Sequence, residues 1–263
     1  MNLSGQRRSL AQNASRAFTS AVGVAVILLS WEGAVSRLDV PLYVLPAPSI
    51  IGAQLVRDWA LLVRHLQPTV IEAVGGFAIG NGIATALAAL FVYAPPVSRV
   101  MFPVAIALRT IPLVAITPLL VVWLGNGYAP KIAIAALISF FPTLVNMTRG
   151  FGAATPDQLE LMHALAATPW QVFRLVRWPA SLPYLFAALR IASTSSVLGA
   201  IVAEWIGSDR GLGYLIVAAT FEYRVARLWA TIAVATGTAV VAFLAVVAAE
   251  RAVVPWARNT VGA

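Results

Sequence analysis

The sequence predicts an all-α membrane protein with about six transmembrane helices and a polar helix-turn-helix between the fourth and fifth of them. Three observations lead there. Of its 263 residues, 60% are apolar and 11% charged, more apolar surface than a soluble domain of this length hides, whereas a bilayer accepts it directly. Five uncharged or nearly uncharged runs, near 73–98, 100–124, 132–148, 184–206 and 229–249, approach or exceed the roughly 20 residues that cross a ~30 Å hydrocarbon core. Finally, the stretch from Glu160 to Pro183 is polar and turn-rich in a way that lipid burial does not require, which points to contact with another protein.

Composition also excludes several classes. The formal charge of +8 comes from 18 Lys and Arg residues spread between apolar runs, which fits retention of cytoplasmic loops better than binding of nucleic acid. Without cysteine there are no disulfides or thiolate metal sites, and with His65 and His163 as the two histidines a zinc site is not expected. No catalytic residue and no cofactor bound by the chain itself is predicted.

In chain order, a sixth apolar run, 17–36, is interrupted by Glu32 near one end, where a carboxylate reaches headgroups. Arg7 and Arg8 resemble a weak twin-arginine start. No small-residue cleavage site follows, and Trp31-Glu32 stands where it should be, so a retained anchor is expected. The predicted layout is a cytoplasmic segment 1–16, one membrane domain 17–250 and a cytoplasmic tail 251–263. Six spans put both termini on one side, together with Arg7, Arg8, Arg16, Arg99, Arg149, Arg174, Arg177, Arg251 and Arg258. Arg37, Arg57, Arg64, Lys131, Arg210, Arg224 and Arg227 fall on the other, a small bias that favours cytoplasmic termini.

Pro46-Ala47-Pro48-Ser49 opens a predicted helix with Ile51, Leu55, Trp59, Leu62 and Leu66 on one face. It is expected either along the outer membrane surface or packed on the bundle. Pro103, Pro112 and Pro118 in the third span and Pro142 in the fourth free backbone carbonyls and predict kinks. The phrases Thr155-Pro156-Asp157-Gln158 and Thr168-Pro169-Trp170-Gln171 each supply an N-cap, a proline at the first helical position and a glutamine three residues after the cap. Two short helices, 156–165 and 169–178, follow, the second ended by Pro179. Leu159, Met162 and Ala166 share a face of the first, and Asp157 and Glu160 favour its N-terminal end. Asp209-Arg210-Gly211-Leu212-Gly213 reads as the turn between spans five and six.

The order Glu160…Leu165-Ala166-Ala167-Thr168…Leu182-Pro183 resembles the EAA loop of ABC importer permeases. Tyr184 to Ala192, Gly199 to Gly213 with Glu204 inside it, Ile111-Pro112…Pro118…Trp123-Leu124-Gly125 and Pro46 to Ser49 are similar to the nitrate/taurine/alkanesulfonate branch, which includes permeases for pyrimidine and riboflavin precursors. The likeness spans roughly 45–250. The chain departs from the family pattern with Ala166 at the family's turn glycine and with Leu161 and Met162 in place of two alanines. The resemblance implies a permease in the bacterial inner membrane that acts as a homodimer with two ATPase subunits and an external solute-binding protein. ATP and Mg would sit on the partner ATPase, because this sequence has no phosphate-binding loop. Asp157, Leu159, Glu160, Met162, His163, Ala166, Thr168 and Pro169 would form the docking lever, with His163 a solvated docking-face residue. The cargo would be a small polar solute: a sulfonate, carboxylate or other anion, or a vitamin precursor. The alternative is an ATP-independent secondary transporter or channel.

Charges and hydroxyls inside spans mark candidate pathway residues: Arg109 and Thr110 in the third, and Ser193, Ser196 and Glu204 in the fifth. Arg109 faces the path or pairs with Glu72 or Glu204. Part of the Ser193–Ser196 cluster is expected to bond back to its own helix. Arg190 is expected to reach the cytoplasmic headgroups or cap the loop, while for Glu204 contact with the binding protein, gating and a local ion pair are all open.

Overall fold

The structure is a computed structural model that describes residue 19 and residues 22–256, all of whose regular elements are helical. Arg7, Arg8, Arg16 and Arg258 lie outside the described residues, as does the start of the run 17–36. The helices are α1 (22–37), α2 (Pro48–Arg57), α3 (Trp59–Tyr93), α4 (Pro95–Arg109), α5 (Leu113–Leu124), α6 (Tyr128–Phe151), α7 (Pro156–Ala164), α8 (Pro169–Val172), α9 (Trp178–Glu204), α10 (Leu212–Phe221) and α11 (Val225–Val253). Among the described residues α3, α6, the run Pro169–Glu204 and α11 are each long and apolar enough to cross a membrane, and α4 with α5 are apolar enough together but bent by 100°, as in a broken span or a re-entrant loop. The chain divides into two compact units, 1–59 with 218–231 and 60–217 with 232–263.

The larger unit is built on α3, α6 and α9. Gly76 and Gly80 of α3 face Ala135 and Ala136 of α6, and a Cβ on Gly76 would lie 2.7 Å from the Ala136 nitrogen. Gly199 of α9 approaches the backbone of Ala135, where a Cβ would come within 3.0 Å, and Gly150 of α6 meets Tyr184 and Ser181. These pairs run α3 and α6 parallel, and α6 and α9 antiparallel. Buried Asn81 and Thr143 hydrogen-bond to each other between α3 and α6. Beyond that point Ala84, Ala88, Phe91, Phe141, Leu144, Met147 and Phe151 pack together with Ala105 of α4.

Three sequence expectations are corrected here. The amphipathic helix through Leu66 ends at Arg57, and its second half belongs to α3, where Leu62 is fully buried. Pro112 does more than kink the third span: it is the extended N-cap of α5, and the chain folds through Thr110–Pro112. The expected turn around Gly211 leads into α10, a short apolar helix that the sequence pattern did not predict.

In the smaller unit, Ala47 is extended (φ −66°, ψ 147°) and Pro48 occupies the first helical turn of α2, where a missing N–H costs nothing. Glu32 does not stay free for headgroups. Its carboxylate accepts the Ser49 N–H at 2.9 Å and the Ser49 hydroxyl at 2.7 Å, capping α2 from α1. Asp58 ends α2 and pairs with Arg227 at 2.5 Å, while Gln54 donates to it at 2.8 Å. The Trp31 and Trp229 rings meet edge-on at 5.3 Å.

The Arg227 guanidinium hydrogen-bonded to Asp58 holds that carboxyl below the usual carboxylate range. The ionised form therefore stabilises the fold at every pH above the ordinary unfolded value, and that stability is lost as pH falls through the lower folded value. Thermal unfolding of Asp58→Asn should show a lower midpoint at neutral pH and a shallower loss on acidification than the wild type.

Candidate functional site

Two places in the larger unit bring the predicted functional residues together. The first is the hairpin after α6. Both predicted capping boxes form: Thr155 accepts the Gln158 N–H at 3.3 Å and Thr168 accepts the Gln171 N–H at 3.4 Å. In return the two glutamine side chains accept the threonine N–H groups at 3.1 and 2.7 Å. α7 ends at Ala164 and Ala166 takes the left-handed conformation (φ 50°), its N–H reaching the His163 carbonyl at 2.9 Å. Alanine thus stands in a backbone conformation that costs an L-residue roughly 1–2 kcal/mol and glycine nothing. The turn keeps the geometry expected of a glycine there.

The second predicted helix, 169–178, is shorter than expected. α8 stops at Val172, a π-helical turn covers Phe173–Arg177, and the chain runs on into α9 through Pro179. Pro179 fails to end the helix because it falls in the first turn of α9, after the wide π turn. The hairpin is anchored by aromatic packing. Trp170 stacks on Phe173 at 5.7 Å, Phe173 contacts Phe151 at 5.3 Å and Tyr93 at 6.0 Å, and the Tyr93 hydroxyl donates to the Pro169 carbonyl at 3.2 Å. Arg177 donates to the Phe151 carbonyl at 2.8 Å, capping the C-terminal end of α6. The hairpin is thereby tied to Tyr93 of α3, Phe151 of α6 and Trp178 of α9.

Exposure divides the predicted docking residues. Asp157, Glu160, His163, Ala166, Thr168 and Pro169 are exposed or partly so, whereas Met162 is buried and Leu159 half-buried. The outward apolar face consists instead of Leu161, Leu165 and Trp170, each more than 60% exposed. The sequence held part of the clue: Leu161 and Leu165 are four apart and so project from neighbouring positions of the hairpin.

The second place is a cavity of about 450 Å³ between α4, α5, α6 and α9, lined by Arg109, Asn146, Ser195 and apolar side chains including Leu108, Leu137 and Phe141. Arg109 ends α4 at the break of the third span, and no described carboxylate pairs with it. The alternative pairing fails because Glu72 faces Lys131 and Glu204 is bonded to Thr69 and Gly213. Among the hydroxyls, Thr110 donates to Ala107, Ser193 to Arg190 and Ser196 to Ser193. They serve their own helices, while Ser195 turns to the cavity. Asn146, which no sequence signal singled out, donates to the Pro142 carbonyl at 2.8 Å and lines the cavity. Among the described residues Glu204 makes no ion pair, and Arg190 pairs with Glu250 at 3.4 Å rather than with the hairpin.

A family model described as the binding-protein-dependent transport system inner membrane component matches residues 78–259, which include the hairpin and the cavity lining. The chain belongs to that family. It is 34% identical over 209 residues to a probable ABC transporter permease protein of Haemophilus influenzae, covering 80% of this chain and 85% of the relative. The taurine transport system permease protein TauC of Escherichia coli is 30% identical over 264 residues, with 92% and 91% of the two chains covered. The formylaminopyrimidine transport permease protein ThiX of Halalkalibacterium halodurans is 29% identical over 235 residues, with 89% and 94% covered. This multi-pass membrane permease is therefore one component of an ATP-driven importer that also includes an ATPase and a solute-binding protein, and it is not itself an enzyme.

Replacing Ala166 with glycine should stabilise the permease's hairpin turn by on the order of 1 kcal/mol, since relief of the left-handed strain exceeds the entropy glycine adds to the unfolded chain. Amide exchange across 164–168 should slow in Ala166→Gly.

Proposed function

We propose that this permease admits a small anionic solute at the Arg109 cavity, driven by an ATPase that docks on the α7–α8 hairpin. The carrying observation is an arginine without a carboxylate partner among the described residues, at the edge of a mostly apolar cavity of about 450 Å³. An unpaired guanidinium near membrane depth is costly unless something negative meets it, and its fork suits the oxygens of a sulfonate or carboxylate. Asn146 and Ser195 add neutral hydrogen-bonding groups beside it. The volume suits a small solute, and a relative named for taurine transport carries a sulfonate-bearing cargo.

Two copies of the chain line the pathway, and two ATPase subunits bind ATP and Mg and clamp the hairpins. Both termini lie in the cytoplasm, on the side of the hairpin and of Arg149, Arg174 and Arg177. Leu161, Leu165 and Trp170 enter an apolar groove of the ATPase, and the rigid caps and the Phe173 cluster turn its closure into movement of the spans.

Uptake by the reconstituted complex tests the cavity. Arg109→Gln should reduce uptake of an anionic substrate tenfold or more, the loss expected for a charged hydrogen bond, and Arg109→Lys should restore part of it. Equal uptake by wild type and Arg109→Gln would remove the anion assignment. Independently, Leu165→Asp should leave membrane insertion intact while ATP hydrolysis no longer drives uptake. Normal coupling in that variant would refute the docking face.

A further inference from the structure

α11 is the span least enclosed by the rest of the larger unit. In its most apolar window 6% of the residues are buried, against 33–50% in α3, α6 and the run Pro169–Glu204. Its outward face needs only lipid. Its inward face borders a second cavity, of about 400 Å³, lined by Ala73 and Phe77 of α3, Val197 of α9 and Val241, Ala245 and Val246 of α11. The three hydroxyls in that lining are turned back to their own helices. Ser193 donates to the Arg190 carbonyl at 2.9 Å, Ser196 to Ser193 at 2.9 Å and Thr238 to Val234 at 2.8 Å. α9 separates this groove from the Arg109 cavity, since Ile191 and Ser195 line that cavity while Ser193, Ser196 and Val197 line the groove. Walls without a free donor suit hydrocarbon rather than a polar cargo. Left empty, the groove would forfeit the packing contacts on which helices in lipid depend.

The groove leads to a pair of charges. On α11, Thr238, Ala242, Val246 and Glu250 recur every four residues and share a face, and on α9 Arg190 precedes Ser193 and Val197 by one and two turns. Arg190 and Glu250 meet at 3.4 Å with side chains 38% and 19% exposed, so both signs remain accessible. Glu250 lies in the last turn of α11, where a span reaches the headgroups. From Thr238 to Glu250 the helix rises about 18 Å at 1.5 Å per residue, close to the ~15 Å of hydrocarbon in one leaflet.

We propose that this groove binds one phosphatidylethanolamine from the leaflet on the hairpin side, with an acyl chain between α3, α9 and α11, its phosphate on Arg190 and its ammonium on Glu250. The guanidinium fork suits phosphate oxygens, and the carboxylate accepts from a primary ammonium. An anionic headgroup would instead meet Glu250 with like charge, and a choline has no N–H to donate. An apolar helix from a second copy would fill the walls but leave the charged mouth unmatched. The lipid fastens α11 to α3 and α9, whatever the cargo at Arg109.

The test is native mass spectrometry of the detergent-purified full chain, with phosphatidylethanolamine, phosphatidylcholine and phosphatidylglycerol of identical acyl chains added in turn. The wild type should retain one phosphatidylethanolamine per chain, bound roughly fivefold more tightly than the other two, the difference one part-exposed ion pair makes. Equal retention of all three overturns the proposal and requires no variant. Ala245→Trp, which fills the groove and leaves Arg190 and Glu250 in place, should lose this lipid, and Glu250→Ala should bind phosphatidylethanolamine and phosphatidylcholine alike. Undiminished binding in Ala245→Trp overturns the groove assignment. Displacement of the lipid by glycerophosphoethanolamine, the same headgroup without tails, would reduce the site to a headgroup contact and overturn it too. Loss of a chain dimer rather than of lipid in Ala245→Trp would assign the groove to a second copy instead.

Discussion

Apolar side chains gain little by leaving lipid for a helix interface, so a membrane bundle depends on van der Waals packing that only close backbones achieve. In the larger unit that constraint converges on Ala135. Gly76 of α3 meets it from one side and Gly199 of α9 from another, each at a distance that leaves no room for a Cβ. With the three helices held at this point, α3 and α6 run parallel and α9 returns antiparallel. That arrangement sorts the rest of the chain. Glu72, Lys131 and Glu204 are gathered at one end, and Tyr93, Phe151, Phe173 and Trp178 at the other.

The two ends differ in the kind of interaction that closes them. At the hairpin end, large rings and the Arg177 cap on α6 give broad packed contact. At the Glu204 end a few short hydrogen bonds to Glu204 and Thr69 hold a glycine loop. Between them the third span breaks at Thr110–Pro112 and leaves Arg109 beside a cavity rather than inside a continuous helix. The packed hairpin, the broken span and the Glu204 loop are thus held by three different kinds of contact.

Much of this is legible in the sequence. The capping boxes at Thr155 and Thr168 rest on residues three apart, so the sequence shows them directly, and both form. The apolar runs announce the spanning helices for the same reason, because spanning length is a local property. Ala166 stands at the expected turn, and its left-handed backbone confirms the turn's position. Sequence and structure part where local signals compete with packing. Pro179 has the look of a stop, yet a preceding π turn carries the helix through it. Leu159 and Met162 are the expected docking face, although the unit buries Met162 and turns Leu161 and Leu165 outward. Helical periodicity identifies two faces and cannot say which one meets the protein.

The sequence alone determined the all-helical membrane architecture, the double-capped hairpin and the family, because composition, run length and short-range spacing survive any tertiary arrangement. Only the tertiary structure decided the partners of the charged residues. Glu204 finds Thr69 across 135 positions of chain, Glu72 faces Lys131, and Arg109 is left to a cavity. In a low-dielectric interior the meaning of a charge lies in its nearest neighbour, and neighbours that distant in sequence are chosen by how helices pack.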